Sequence, residues 1–185
     1  MAGLATAPDP TAQAAFPRKD TNMLDASRVF SGVSSPNSHT VWPNGGGSAL
    51  DIVIVDDQTS ARTMLRHVIE DIAPELSVHD FEDPTVALAW CESNRTDLLL
   101  LDYRMPGMDG LELARRFRRL PLHRDIPIIL ITVVGDEPIR QAALDAGVID
   151  FLVKPVRPRE LRARCRNLLQ LRQQSENIKQ RAMSL

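Results

Sequence analysis

The 185-residue chain is 43% hydrophobic and 25% charged, enough apolar material for one packed domain and short of two comfortable ones. No apolar run reaches the ~18 residues of a membrane helix, and the N-terminus lacks the basic start and apolar stretch of a secretory signal. Cys91 and Cys165 form no CxxC or Cys/His cluster, which argues against a disulfide framework or structural zinc and fits a reducing, cytoplasmic setting.

In chain order, residues 1–49 read as a flexible tail. Ala, Pro, Gly, Ser and Thr fill 28 of these 49 positions, too little apolar surface to offset the entropy of ordering. The run Pro43–Ser48 closes the tail as a joint, and its three glycines lack the spacing of a phosphate cradle. From Asp51 onward, short apolar runs at 51–56, 76–81, 97–102, 126–132 and 149–154 alternate with segments of helical period at 59–71, 84–93, 109–120 and 136–146. Asp83-Pro84 and Asp136-Glu137-Pro138 open helices, and Gly147 can close one. Apolar runs of this kind suit strands covered by helices on both faces. The alternation predicts a doubly wound α/β domain with a five-stranded parallel sheet. A last helix starts near Pro158 and continues through Arg172 towards residue 180, with Leu161, Leu168, Leu171 and Ile178 on a loose heptad seam.

Charge is unevenly placed. Residues 1–155 hold 14 Lys and Arg against 22 Asp and Glu, a balance of −8, and residues 156–185 hold 8 against 2, a balance of +6. Lysine is scarce: Lys19, Lys154 and Lys179 stand against 19 arginines.

Ligands of open parallel sheets bind beyond the carboxyl ends of the strands, so the last residue of each run carries the most information. These are Asp56-Asp57, Phe81, Asp102, Thr132 and Lys154. Three carboxylates, one hydroxyl and one scarce lysine therefore share a rim. Crowded carboxylates raise one another's pKa unless a cation is present, and an oxygen-only donor set suits Mg²⁺. One carboxylate can then act as nucleophile towards a phosphoryl group, with the lysine and the threonine hydroxyl on the phosphoryl oxygens.

Val53–Asp57, Leu101–Gly110, Ile131-Thr132 and Phe151–Pro155 together resemble the signature set of response-regulator receiver domains, over roughly residues 50–172. The resemblance implies a CheY-like fold with strand order 2-1-3-4-5. It implies a phosphoryl group accepted by Asp102 from a sensor histidine kinase or phosphotransfer protein. Mg²⁺ would be held by Asp57, Asp102 and the backbone carbonyl of Arg104, with Asp56 acting through water. Lys154 would pair with the phosphoryl oxygens, its peptide to Pro155 being cis, and Thr132 and Phe151 would be the switch pair. The face of the fourth helix, fifth strand and fifth helix would meet an output domain, an effector or a second copy of the chain. Val133 and Arg104 depart from the commonest residues at their positions, with Val134 two after Thr132, and are expected to alter the lifetime of the phosphoryl group.

The remaining features have plainer readings. Met105-Pro106-Gly107 is a turn needing an unusual backbone angle at Gly107. His39, His67, His79 and His123 lie away from the acidic rim. The arginine run 157–172 reads as a solvated helix face, so nucleic acid is not an expected partner. Residues 173–185 read as the start of a helical connector to an absent output domain. The Arg- and Leu-bearing helix resembles the connector of HD-GYP regulators of diffusible-signal-factor quorum sensing, which implies control of cyclic di-GMP hydrolysis. A stand-alone receiver acting as relay or adaptor is the alternative. A haloacid-dehalogenase-type phosphatase is a third reading, weakened because Asp56-Asp57 replaces the Asp-x-Asp such enzymes need.

Overall fold

The computed structural model describes residues 50–73, 75–133 and 137–184. The expected tail at 1–49, Val134 and the expected helix start at Asp136 lie outside the described residues. Strands β1 (Leu50–Val55), β2 (Leu76–Phe81), β3 (Leu98–Asp102), β4 (Ile128–Thr132) and β5 (Asp150–Val153) alternate, among the described residues, with five α-helices. These are α1 (Thr59–Glu70), α2 (Pro84–Ser93), α3 (Gly110–Arg119), α4 (Glu137–Asp145) and α5 (Pro158–Met183). All strand pairings are parallel and the order is β2-β1-β3-β4-β5.

Successive side chains of a strand point to opposite faces, and the apolar runs divide accordingly. Val53, Val55, Leu99, Leu101, Ile128 and Leu130 enter one core with Ala87, Leu113 and Phe117. Ile52, Ile54, Leu98, Leu100, Ile129, Ile131 and Leu152 enter the other, with Leu65, Ile69, Leu161 and Leu169. Both faces of the central strands are packed against helices, which is why the sequence shows continuous apolar runs instead of alternation.

Local chemistry sets most boundaries. Asp83 caps α2 by accepting from Thr85 N–H at 2.6 Å, with Pro84 in the first turn, and Asp109 caps α3 through Glu112 N–H at 2.8 Å. Such caps satisfy donors that the first turn leaves free. β4 begins at Ile128, two residues later than expected, because Pro127 has no N–H for the ladder. Its carbonyl still accepts from Leu99 N–H at 3.0 Å.

α5 corrects two expectations. Leu161 is fully buried in the core and cannot belong to a free seam, whereas Leu171 and Ile178 are exposed. The arginine run is also not simply solvated. Arg164 pairs with Asp150 and Glu160, Arg162 with Asp71, and Arg172 with Asp97 and Glu176.

Candidate functional site

The register brings the strand ends level. Val55 is opposite Leu101, Asp102 opposite Ile131, and Thr132 opposite Val153. The next residues out from β1 and β5, Asp56 and Lys154, therefore flank Asp102 at the same rim. One carboxylate oxygen from each of Asp56, Asp57 and Asp102 lies within 4.8 Å of the others. Lys154 Nζ is 2.8 Å from Asp102 Oδ1 and 3.5 Å from Asp56 Oδ2. Gln58 N–H donates to Asp56 Oδ1 at 2.8 Å, and Arg104 N–H donates to Asp102 Oδ2 at 3.1 Å.

Asp56 and Asp102 are buried. Burial pushes the Asp56 carboxyl above its ordinary range, and the Asp102 charge pushes the same way. The Gln58 N–H and Lys154 oppose this without prevailing. Burial alone would depress the Lys154 ammonium, but its hydrogen bond to Asp102 and the charges of Asp102 and Asp56 hold it above the usual lysine value. Asp57 Oδ1 is buried and has no hydrogen-bond partner among the described residues. Three carboxylates face one ammonium, and an acceptor oxygen is left over. That is an oxygen-only pocket short of positive charge, and its donors fit a hard divalent cation.

Thr132 ends β4 at the same rim, where its hydroxyl donates to the Val133 carbonyl at 3.3 Å. Phe151 is partly buried on β5, with the Arg140 guanidinium 5.7 Å from its ring centroid. Arg104 and Val133 are exposed. The Lys154–Pro155 peptide is cis, and Gly107 has φ +78°, both as anticipated. His79 is engaged by Asp51 and stacked on Trp90, and His123 packs against Phe117.

Two residues of the site were not singled out from sequence. Gly110 opens α3 against the Asp102 carbonyl, where an added Cβ would come within 2.4 Å of that oxygen. Arg62, in α1, donates to the Asp56 carbonyl at 2.7 Å. Its signal was available, because Arg62, Leu65 and Ile69 fall on one buried helix face.

The model of the family described as "Response regulator receiver domain" matches residues 52–166. The chain is 78% identical over 154 residues to the cyclic di-GMP phosphodiesterase response regulator RpfG of Xanthomonas campestris pv. campestris (strain 8004), covering 83% of this chain and 41% of that protein. It is 40% identical over 118 residues to the phosphate regulon transcriptional regulatory protein PhoB of Pseudomonas aeruginosa, covering 64% of this chain and 51% of that one. The chain thus spans about half the length, or less, of these relatives. Among solved structures, chemotaxis protein CheY4 of Vibrio cholerae superposes with a TM-score of 0.61 at 28% identity, over 64% of this chain and 98% of that chain. The receiver domain of a sensor histidine kinase from Pseudomonas aeruginosa PAO1, solved with a magnesium ion coordinated in its active site cleft, superposes with a TM-score of 0.59. Its identity is 27%, over 65% of this chain and 98% of that chain.

Proposed function

This chain belongs to the response regulator receiver domain family, and from that premise we propose that Asp102 is the side chain that takes a phosphoryl group from a sensor histidine kinase. The observation that carries the reading is the meeting of Asp56, Asp57, Asp102 and Lys154 at one strand-end rim. The Asp102 carboxylate attacks phosphorus, the phosphorus–nitrogen bond of a phosphohistidine breaks, and an acyl phosphate forms on Asp102. Lys154 then exchanges its carboxylate partner for the phosphoryl oxygens. The Thr132 hydroxyl, which among the described residues donates to the neighbouring Val133 carbonyl, turns and donates to one of them. Phe151 follows inward, and the face of α4, β5 and α5 changes for its reader.

Mg²⁺ is the cation we assign to the pocket. Asp57, Asp102 and the Arg104 carbonyl would hold it directly and Asp56 through water. When bound, it would neutralise charge developing on the transferring phosphoryl group.

The similarity to the Xanthomonas regulator supports a further step: α5 leads to a cyclic di-GMP phosphodiesterase output of the HD-GYP class, governed by the state of Asp102. Reading the gene beyond Leu185 tests that step. An HD-GYP continuation supports it, and a stop codon there favours a stand-alone relay.

The central test is incubation with Mg²⁺ and acetyl phosphate followed by intact mass. The wild-type chain gains one phosphoryl group, and Asp102→Asn gains none. A wild type that gains nothing, or an Asp102→Asn chain that gains as much, overturns the assignment.

A further inference from the structure

Arg62 projects from the inner face of α1 with its side chain only 10% exposed, so its charge has lost most of its water and must be paired within the protein. It uses all three nitrogens. Nη1 donates to the Asp56 carbonyl at 2.7 Å. Nη2 lies 3.2 Å from both Thr59 Oγ1 and Glu82 Oε2. Nε lies 3.4 Å from Asp80 Oδ2. The guanidinium therefore braces the loop after β1 against the end of β2.

Its shortest contact is to the peptide that joins Asp56 to Asp57. Fixing that carbonyl fixes the peptide plane, and the plane sets the direction in which both neighbouring side chains leave the backbone. The Asp56 N–H is held at the same time by the Phe81 carbonyl at 3.2 Å. Arg62 makes no contact with a carboxylate of the pocket; its carboxylate partners, Asp80 and Glu82, belong to the end of β2.

We propose that Arg62 is the positioning residue of the acidic pocket: by holding the Asp56–Asp57 peptide it sets the spacing of the carboxylates, and with it the affinity of the pocket for a divalent cation. The inference rests on the reading of that pocket as a cation site.

Calorimetric titration of the 185-residue chain with Mg²⁺ tests it without relying on phosphoryl transfer. Arg62→Gln is expected to weaken Mg²⁺ binding about tenfold or more, the usual cost of losing a supporting partner. Arg62→Lys recovers part of the loss, because an ammonium can donate to the Asp56 carbonyl but cannot reach its other partners at once. Phosphoryl uptake by Arg62→Gln from acetyl phosphate then returns towards wild type at saturating Mg²⁺. The double variant Asp80→Asn with Glu82→Gln frees the far end of the brace and keeps Arg62. It weakens binding in the same direction, and supplies the answer if Arg62→Gln does not fold. Folded variants that bind Mg²⁺ as tightly as wild type, with only the melting temperature lowered, overturn the proposal. A wild-type chain that binds no Mg²⁺ overturns the cation-site reading, and this inference with it.

Discussion

Lys154 Nζ lies 2.8 Å from Asp102 Oδ1, so the residue that follows β5 supplies the counter-charge for the residue that ends β3. With Asp56 Oδ2 only 3.5 Å away, the ammonium sits between two buried carboxylates. A compact cation there can follow negative charge from the carboxylate to an incoming phosphoryl group. Lys154→Met is therefore expected to slow phosphoryl uptake from acetyl phosphate by roughly 10²-fold, followed as intact mass against time. A rate within about twofold of wild type would make the pair structural only.

The raised Asp56 pKa carries a stability consequence with a definite sign. The folded chain keeps its proton on Asp56 to higher pH than the unfolded chain does. Folding is therefore favoured by this group below its ordinary pKa of 3.8. That contribution is lost as pH rises through the higher folded value. A divalent cation acts in the opposite direction, because it binds the deprotonated pocket. Added Mg²⁺ is expected to stabilise the fold by up to about 2.7 kcal/mol at a hundredfold excess over Kd, so that the melting temperature rises more at about pH 7.5 than at about pH 4.5. Asp57→Asn should lose most of that increment. Equal Mg²⁺ stabilisation of wild type and Asp57→Asn would place the ion elsewhere.

Gly110 is a packing requirement at the same strand end. A Cβ there would come within 2.4 Å of the Asp102 carbonyl oxygen and 2.9 Å of Leu130 Cδ1. Asp102 is paired with Ile131 of β4, which limits how far its backbone oxygen can retreat. Gly110→Ala is expected to cost about 1–3 kcal/mol in urea unfolding. It should also slow phosphoryl uptake by displacing Asp102. The helical position alone would favour alanine, so a stabilised variant would refute the steric account.

What could be read from the sequence follows how local each signal is. Asp83-Pro84 marks a helix start because a cap is made within three residues, and Asp83 is the cap of α2 in the fold. The strand-end residues Asp56, Asp102 and Lys154 were legible because a parallel sheet sends the ends of all its runs to one rim. Arg62 was harder, since its partners Asp80 and Glu82 lie on a different strand end, and pairing at that distance leaves no periodic trace. The seam on α5 misled for a related reason. Leucine spacing shows that a helix has an apolar stripe, but not that Leu161 spends its part of the stripe inside the domain core.

His123 connects burial to acid sensitivity. It is almost fully buried, with its ring against Phe117. Burial pulls its pKa below the ordinary 6.5; the Asn94 backbone and the Asp97 charge oppose this without prevailing, and the nearby Arg172 and Arg118 charges add to the effect. As pH falls below that value, the unfolded chain takes up the proton before the folded chain can, so stability falls until the folded pKa is reached. Urea unfolding is expected to lose up to about 1.4 kcal/mol per pH unit in that window. His123→Phe should flatten the slope, leaving an aromatic ring against Phe117. An unchanged slope would assign the acid sensitivity to another group.

Arg172 and Lys179 both tie the late turns of α5 to the base of the sheet, but with different force. Arg172 is only 10% exposed and stands 3.6 Å from the fully buried Asp97 and 2.7 Å from Glu176. Lys179 is 46% exposed and reaches Asp125 at 3.0 Å. Exposed pairs contribute about 0–1 kcal/mol, so Lys179→Ala should be nearly silent. Removing Arg172 leaves a buried carboxylate with less charge compensation, although Arg95 still lies 2.8 Å from Asp97 and the Asp51 N–H still donates to it at 3.0 Å. Arg172→Met is therefore expected to cost about 1–3 kcal/mol and to speed amide hydrogen exchange across residues 173–183, while exchange in α2 changes little. If both variants left exchange in 173–183 unchanged, the final turns of α5 would hold their place without these ion pairs.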